Sequence, residues 1–79
     1  PEHIKEAAIK AIRDGKTKYT PVDGIPSLKK AVADKLKEFN GLSYDLNQIT
    51  VSTGGKQCIY NFLQAVIQAG DEVIIPSPY

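Results

Sequence analysis

Apolar residues recur along the chain first with a helical period and then, near its middle and its end, in short unbroken runs. Over residues 1–14, Ile4, Ala8, Ala11 and Ile12 fall at i, i+4, i+7 and i+8, with Glu2 in the first turn and Gly15 just past the end, which predicts an amphipathic helix. Residues 15–24 carry Pro21, Asp23 and Gly24 among polar neighbours without a helical period, so they read as a connecting loop. A second helix follows, with Pro26 in its first turn, a stripe of Leu28, Ala31, Val32, Leu36 and Phe39, and Asn40 and Gly41 as its stop.

After a polar turn at residues 45–48, Ile49, Thr50 and Val51 are β-prone and predict a short strand ending at Ser52. The segment Thr53-Gly54-Gly55-Lys56-Gln57 then leads into a third helix reaching Ala69, with Gly70 as its stop. Its apolar set of Cys58, Ile59, Phe62, Leu63, Ala65, Val66 and Ile67 covers most of the circumference, so this helix is expected to be largely buried. Val73, Ile74 and Ile75 form the continuous apolar run of a parallel strand covered on both faces, and Pro76-Ser77-Pro78-Tyr79 leave its C-terminal end. The strand, crossover helix, strand order predicts an α/β fold: three helices and two short strands of a mainly parallel sheet. Two strands leave much apolar surface uncovered, so residues 1–79 read as one incomplete domain whose other strands lie elsewhere.

At 79 residues the chain has room for one small domain of marginal stability. Ten Lys and Arg against nine Asp and Glu give a net charge of +1, and the basic residues are spread along helical faces. That distribution argues against nucleic acid or an anionic membrane as the main partner. The one cysteine, Cys58, rules out an internal disulfide, and its apolar neighbours suggest a small hydrophobe with an unreactive thiol. His3 has no companion at metal-ligand spacing, and Glu2, Glu6, Asp14, Asp34 and Glu38 read as charged helix surface. No apolar run approaches the roughly 20 residues of a membrane span, and no leader pattern is present, so a cytoplasmic setting is expected. Pro1 already sits in the first turn of a helix whose N-cap would precede it, so further chain is expected on that side.

The sharpest local chemistry is the strand, glycine pair and helix at residues 52–57. Glycines let backbone N–H groups approach a ligand, and a helix N-terminus adds unsatisfied donors and the positive end of the dipole, which together favour a phosphate. The segment is no Walker A loop: Thr50 stands where the first glycine would be, and Gln57 replaces the Ser or Thr. Spacing alone leaves two readings open, an anion site or a strand-to-helix turn without a ligand.

Four landmarks, in order, run through nearly the whole chain: Lys18-Tyr19-Thr20-Pro21-Val22-Asp23-Gly24-Ile25-Pro26-Ser27-Leu28, Ser52-Thr53-Gly54-Gly55-Lys56-Gln57, Gly70-Asp71-Glu72-Val73 and Pro76-Ser77-Pro78-Tyr79. Together they resemble the class I pyridoxal phosphate dependent aminotransferases, above all the bacterial aspartate aminotransferases, some of which also act on prephenate. The resemblance implies fold type I, with this segment at the beginning of the large, cofactor-binding domain. It implies pyridoxal 5'-phosphate as cofactor, amino-acid and 2-oxo-acid substrates, and a homodimer.

Carried over by position, the resemblance puts Gly54, Gly55 and Lys56 in the turn whose amides hold the cofactor phosphate, with Ser52 and Thr53 flanking it. It makes Tyr19 the tyrosine that gives its hydroxyl to the cofactor phosphate of the neighbouring subunit; without the surrounding motif Tyr19 would read as an ordinary loop residue. The family's Schiff-base lysine, the aspartate facing the pyridine nitrogen, the stacking tryptophan and the substrate-clamping arginines lie outside this chain. Lys5, Lys10, Lys29, Lys30 and Lys37 read as solvated helix surface, which offers no means of lowering a lysine pKa. The expected function is therefore part of an enzyme moving an amino group from L-aspartate to 2-oxoglutarate, the segment alone being inactive. Prephenate or aromatic amino acids are alternative substrates, and a non-enzymatic α/β module with an anion-binding turn is the alternative of another class.

Overall fold

Three α-helices and one 3-10 turn make up the regular structure of the computed structural model, which describes residues 1–79: α1 (Glu2–Arg13), α2 (Pro26–Asn40), the 3-10 turn (Leu46–Gln48) and α3 (Gly55–Val66). Local chemistry accounts for each boundary. In α1, Glu2 lies at the positive end of the helix dipole and Lys10 and Arg13 at the negative end. Ion pairs Glu2–Lys5 at 2.9 Å and Lys10–Asp14 at 2.5 Å run along its exposed surface. Pro26 opens α2 behind an extended Ile25, with its ring fixing φ where no N–H is needed. Gly41 closes α2 in the left-handed conformation at φ 68°, and the Leu42 N–H turns back to the Leu36 carbonyl at 3.1 Å.

The expected strands are absent. Ile49 is extended at φ −121° and ψ 125°, but residues 49–51 pair with no neighbouring strand. The Ile49 N–H closes the 3-10 turn on the Leu46 carbonyl at 3.3 Å, and the one long-range backbone bond runs from the Val51 N–H to the carbonyl of Asp23 in the loop, at 3.0 Å. Residues 73–75 make no backbone hydrogen bond at all, and Ile74 is 94% exposed. Extended conformation becomes sheet only when a second strand supplies the ladder, and these 79 residues contain none that does. Of the expected three helices and two strands, the helices are present and the two strands are corrected to extended segments without a ladder.

Three further expectations change. The third helix stops at Val66 instead of Ala69, because the Asp71 carboxylate accepts the Gln68 N–H at 2.9 Å and the Asp71 N–H returns to the Gln68 carbonyl at 3.1 Å. That local turn takes the donor which would have extended the helix. Nor is α3 buried: Ile59, Tyr60, Phe62 and Val66 are all exposed, and so is Cys58, whose thiol meets solvent instead of an apolar shell. Lys29 is the reverse case, a lysine assigned to solvent that is 7% exposed.

Ile49 and Lys29 are the two buried residues of the chain. The radius of gyration is 16.3 Å, where a compact domain of this length has about 12 Å. Among the regular elements only α2 and the 3-10 turn pack on each other. Gln48 fixes that turn by accepting the Asp45 N–H on its side-chain oxygen at 2.9 Å while its own N–H goes to the Asp45 carbonyl at 3.0 Å.

One tie joins the loop to the segment that leads into the glycine turn. The Lys29 ammonium donates to the Asp23 carboxylate, and the lysine stem runs beside Gly24. Gly24, at φ 103°, lies against the Val51 side chain, and Asp23 accepts the Val51 N–H. The hydrogen bond from Lys29, with its positive charge adding to it, holds the Asp23 carboxyl below its ordinary value of 3.8. Because the folded pKa is depressed, the pair's contribution is complete above the unfolded pKa of about 3.9 and fades as pH falls through the lower folded value. Acidification below about pH 4 should therefore loosen the loop. Carbon-13 detection of the Asp23 carboxyl checks this: its midpoint should lie below the ordinary aspartate value, and Lys29→Met should bring it back up.

Candidate functional site

Gly54 begins the site. It takes φ 89° and ψ 161°, a backbone conformation open to glycine alone, and acts as N-cap of α3 without a side chain to cap it. The consequence falls on the amides that follow. The N–H groups of Gly55, Lys56 and Gln57 are the first of the helix, and none meets a backbone or side-chain acceptor in the chain. They form one cluster of free donors at the positive end of a helix of 12 residues.

Space is available there as well. A Cβ built on Gly54 or Gly55 would have no atom within 4 Å, so the approach to these amides is open. The Lys56 ammonium takes part in no ion pair, and no carboxylate neutralises it. Donors without acceptors, a cation without a counter-ion and an open approach fit a phosphate dianion. Pyridoxal phosphate carries such a group; of the three residues expected to hold it, Gly55 and Lys56 have free amides, whereas the Gly54 N–H is taken by the Ser52 carbonyl at 2.9 Å, so Gly54 shapes the turn and Gln57 supplies the third free amide.

Behind the turn lies a polar group that the pattern of apolar positions did not reveal. Gln57 Nε2 donates to Asn61 Oδ1 at 2.6 Å, and Asn61 Nδ2 donates to Ser52 Oγ at 3.5 Å. The signal was present in the sequence as two carboxamides at i and i+4 on one face of a helix. The tie between Asp23 and Lys29 was missed for a different reason: it joins a loop to a helix, which no periodicity records.

Tyr19 stands apart from the glycine turn. Its side chain is fully exposed on the 16–25 loop, and the hollow beside it is walled by Thr17, Lys18, Thr20, Pro21 and Val22, all of the same loop. Gly54, Gly55 and Lys56 thus share one short segment, while Tyr19 is not brought to them within this chain. His3 lies in the exposed first helix, no cluster of metal-ligating side chains occurs, and no helix is long and apolar enough to cross a membrane.

Comparison with known proteins extends these local features to the whole length. The family model described as aminotransferase class I and II matches residues 1–79. A probable aspartate/prephenate aminotransferase of Rickettsia bellii (strain RML369-C) is 63% identical over all 79 residues, which cover 20% of that relative. An aspartate/prephenate aminotransferase of Cereibacter sphaeroides (strain ATCC 17029 / ATH 2.4.9) is 58% identical, again with 20% of its length covered. An aspartate aminotransferase of Rhizobium meliloti (strain 1021) is 56% identical, with 19% covered. The chain therefore spans about one fifth of the curated relatives it matches, and with the family match running from its first residue to its last, it belongs to the class I and II aminotransferases.

Proposed function

We propose that residues 1–79 are the beginning of the large domain of an aminotransferase and anchor the phosphate of pyridoxal 5'-phosphate. The observation that carries this reading is the set of unpartnered N–H groups at Gly55, Lys56 and Gln57 behind a left-handed Gly54. Family membership supplies the ligand to which such a donor set would be matched. The amides would fix the phosphate in position, and the Lys56 ammonium would add charge complementarity. Tyr19, free of any partner in its own chain, would give its hydroxyl to the phosphate bound by a second subunit of a homodimer. The chemistry supplied by bound pyridoxal phosphate is that of an electron sink. This segment would hold and orient that group.

For the substrate, L-aspartate with 2-oxoglutarate is the first reading, and aspartate stands in the names of all three relatives above. Prephenate is the second, favoured by the two whose names include it. Both are acidic, so an enzyme acting on small dicarboxylates fits either.

In the full-length protein, Gly54→Ala should raise the dissociation constant for pyridoxal phosphate by roughly ten- to a hundredfold, since each hydrogen bond to a charged group is worth about 1.5–3 kcal/mol. Tyr19→Phe should raise it by a smaller factor, through loss of one hydroxyl donor. Cofactor titration by absorbance, with oxaloacetate formation from aspartate as a second readout, measures both. Unchanged cofactor affinity in Gly54→Ala would remove the turn from the site.

A further inference from the structure

We propose that Asn61 is a positioning residue for the phosphate turn, acting as a strut that links the residue before the turn to the helix after it. The inference rests on the cofactor reading above. Gly54 and Gly55 have nothing within 4 Å of the place a Cβ would occupy, so packing does not hold them. Two successive glycines also have more backbone freedom to lose than any other pair. Hydrogen bonds must therefore define the turn. Two are backbone bonds, from the Gly54 N–H to the Ser52 carbonyl at 2.9 Å and from the Cys58 N–H to the Gly54 carbonyl at 3.4 Å.

The side-chain contribution comes from Asn61. Its carboxamide accepts from Gln57 at 2.6 Å and donates to Ser52 Oγ at 3.5 Å, so it joins the two sides of the glycine pair. No other side-chain hydrogen bond of the chain spans the turn. Position 61 needs both a donor and an acceptor, which a carboxamide provides and a carboxylate or an aliphatic side chain does not. Since the Ser52 oxygen accepts from Asn61, its own hydroxyl proton is left to be donated elsewhere, and Ser52 is half-buried at the entry to the turn. A bond of 3.5 Å is long, which puts the expected effect near that of one neutral hydrogen bond.

The test uses the full-length apoprotein titrated separately with pyridoxal phosphate and with pyridoxal, which lacks the phosphate. Asn61→Ala should weaken pyridoxal phosphate about three- to tenfold and leave pyridoxal unchanged. Ser52→Ala, which removes a single oxygen and little else, should do the same. The double variant should be no worse than either single one, because both remove the same strut. Equal weakening of both ligands, or additive losses in the double variant, would overturn the proposal. Gly54→Ala separates the two levels: if it weakens pyridoxal phosphate selectively while Asn61→Ala and Ser52→Ala do not, the strut falls and the phosphate turn stands. If Gly54→Ala also fails to distinguish the two ligands, the phosphate reading falls and the strut with it.

Discussion

Gly24→Val is expected to detach the 16–25 loop from residue 51 in the full-length protein. A Cβ at position 24 would lie 2.7 Å from Val51 Cγ2 and 2.9 Å from Val51 Cβ, distances that non-bonded carbons do not tolerate. The backbone there is at φ 103°, which adds strain for any side chain. Overpacking typically costs about 1–3 kcal/mol and a forced left-handed conformation about 1–3 more, so the sum is roughly 2–6 kcal/mol. A loss of that size is a large part of the stability of an ordinary domain.

Hydrogen exchange read by mass spectrometry on peptides covering residues 49–52 measures the result. The Val51 amide, bonded to the Asp23 carbonyl at 3.0 Å, should lose most of its protection. Combining Gly24→Ala with Val51→Ala should recover only part of the loss, since it relieves the Cγ2 contact and leaves the 2.9 Å approach to the Cβ of residue 51 and the backbone strain. Native-like exchange in Gly24→Val would mean that the close approach is not what secures the loop.

The second large effect concerns the 79-residue chain by itself. Its apolar residues on α1 and α3, among them Ile4, Ile12, Ile59, Phe62 and Val66, are exposed together with Val73, Ile74 and Ile75. Exposed apolar surface of this extent is expected to drive self-association and to leave no sharp thermal transition. Transamination of aspartate should be undetectable, since this segment would only hold the cofactor by its phosphate.

Borohydride reduction in the presence of pyridoxal phosphate, followed by peptide mapping, gives a residue-level version of that result. Labelling should be low and scattered over the exposed lysines such as Lys5, Lys10, Lys30 and Lys37. Lys29 should react least, because its ammonium is engaged by Asp23 and its side chain is only 9% exposed. Stoichiometric labelling of a single lysine such as Lys56, or a cooperative transition from a monomer in dilute solution, would contradict the account.

What the sequence made legible follows from the range of the forces involved. Helix limits are set by near neighbours, so Pro26 and Gly41 announced the ends of α2 and Glu2 and Gly15 bracketed α1. The glycine turn was legible for the same reason, because a left-handed residue followed by free amides is a local property. The absence of strands at residues 49–51 and 73–75 was not, since β-propensity describes what fits a sheet and says nothing of whether a partner is at hand. The end of α3 was misplaced by a three-residue contact, Asp71 with Gln68, that competes with the helix. The burial of Lys29 was invisible because a lysine stem can cover an apolar surface at any spacing once a carboxylate waits at its tip.

The bond between Asp23 and Val51 closes a ring of about 28 residues that contains all of α2 and the 3-10 turn. Ring entropy depends only weakly on contour length, a doubling costing about 0.6 kcal/mol, so residues added to the irregular stretch 41–44 should be absorbed with little effect. Within α2 the ring is stiff. One residue added after Lys29 would turn the rest of the helix by about 100° and carry Val32 and Leu36 away from the 3-10 turn against which α2 packs. Tolerance to insertion should thus change abruptly at Gly41, where the rod ends and the flexible part of the ring begins.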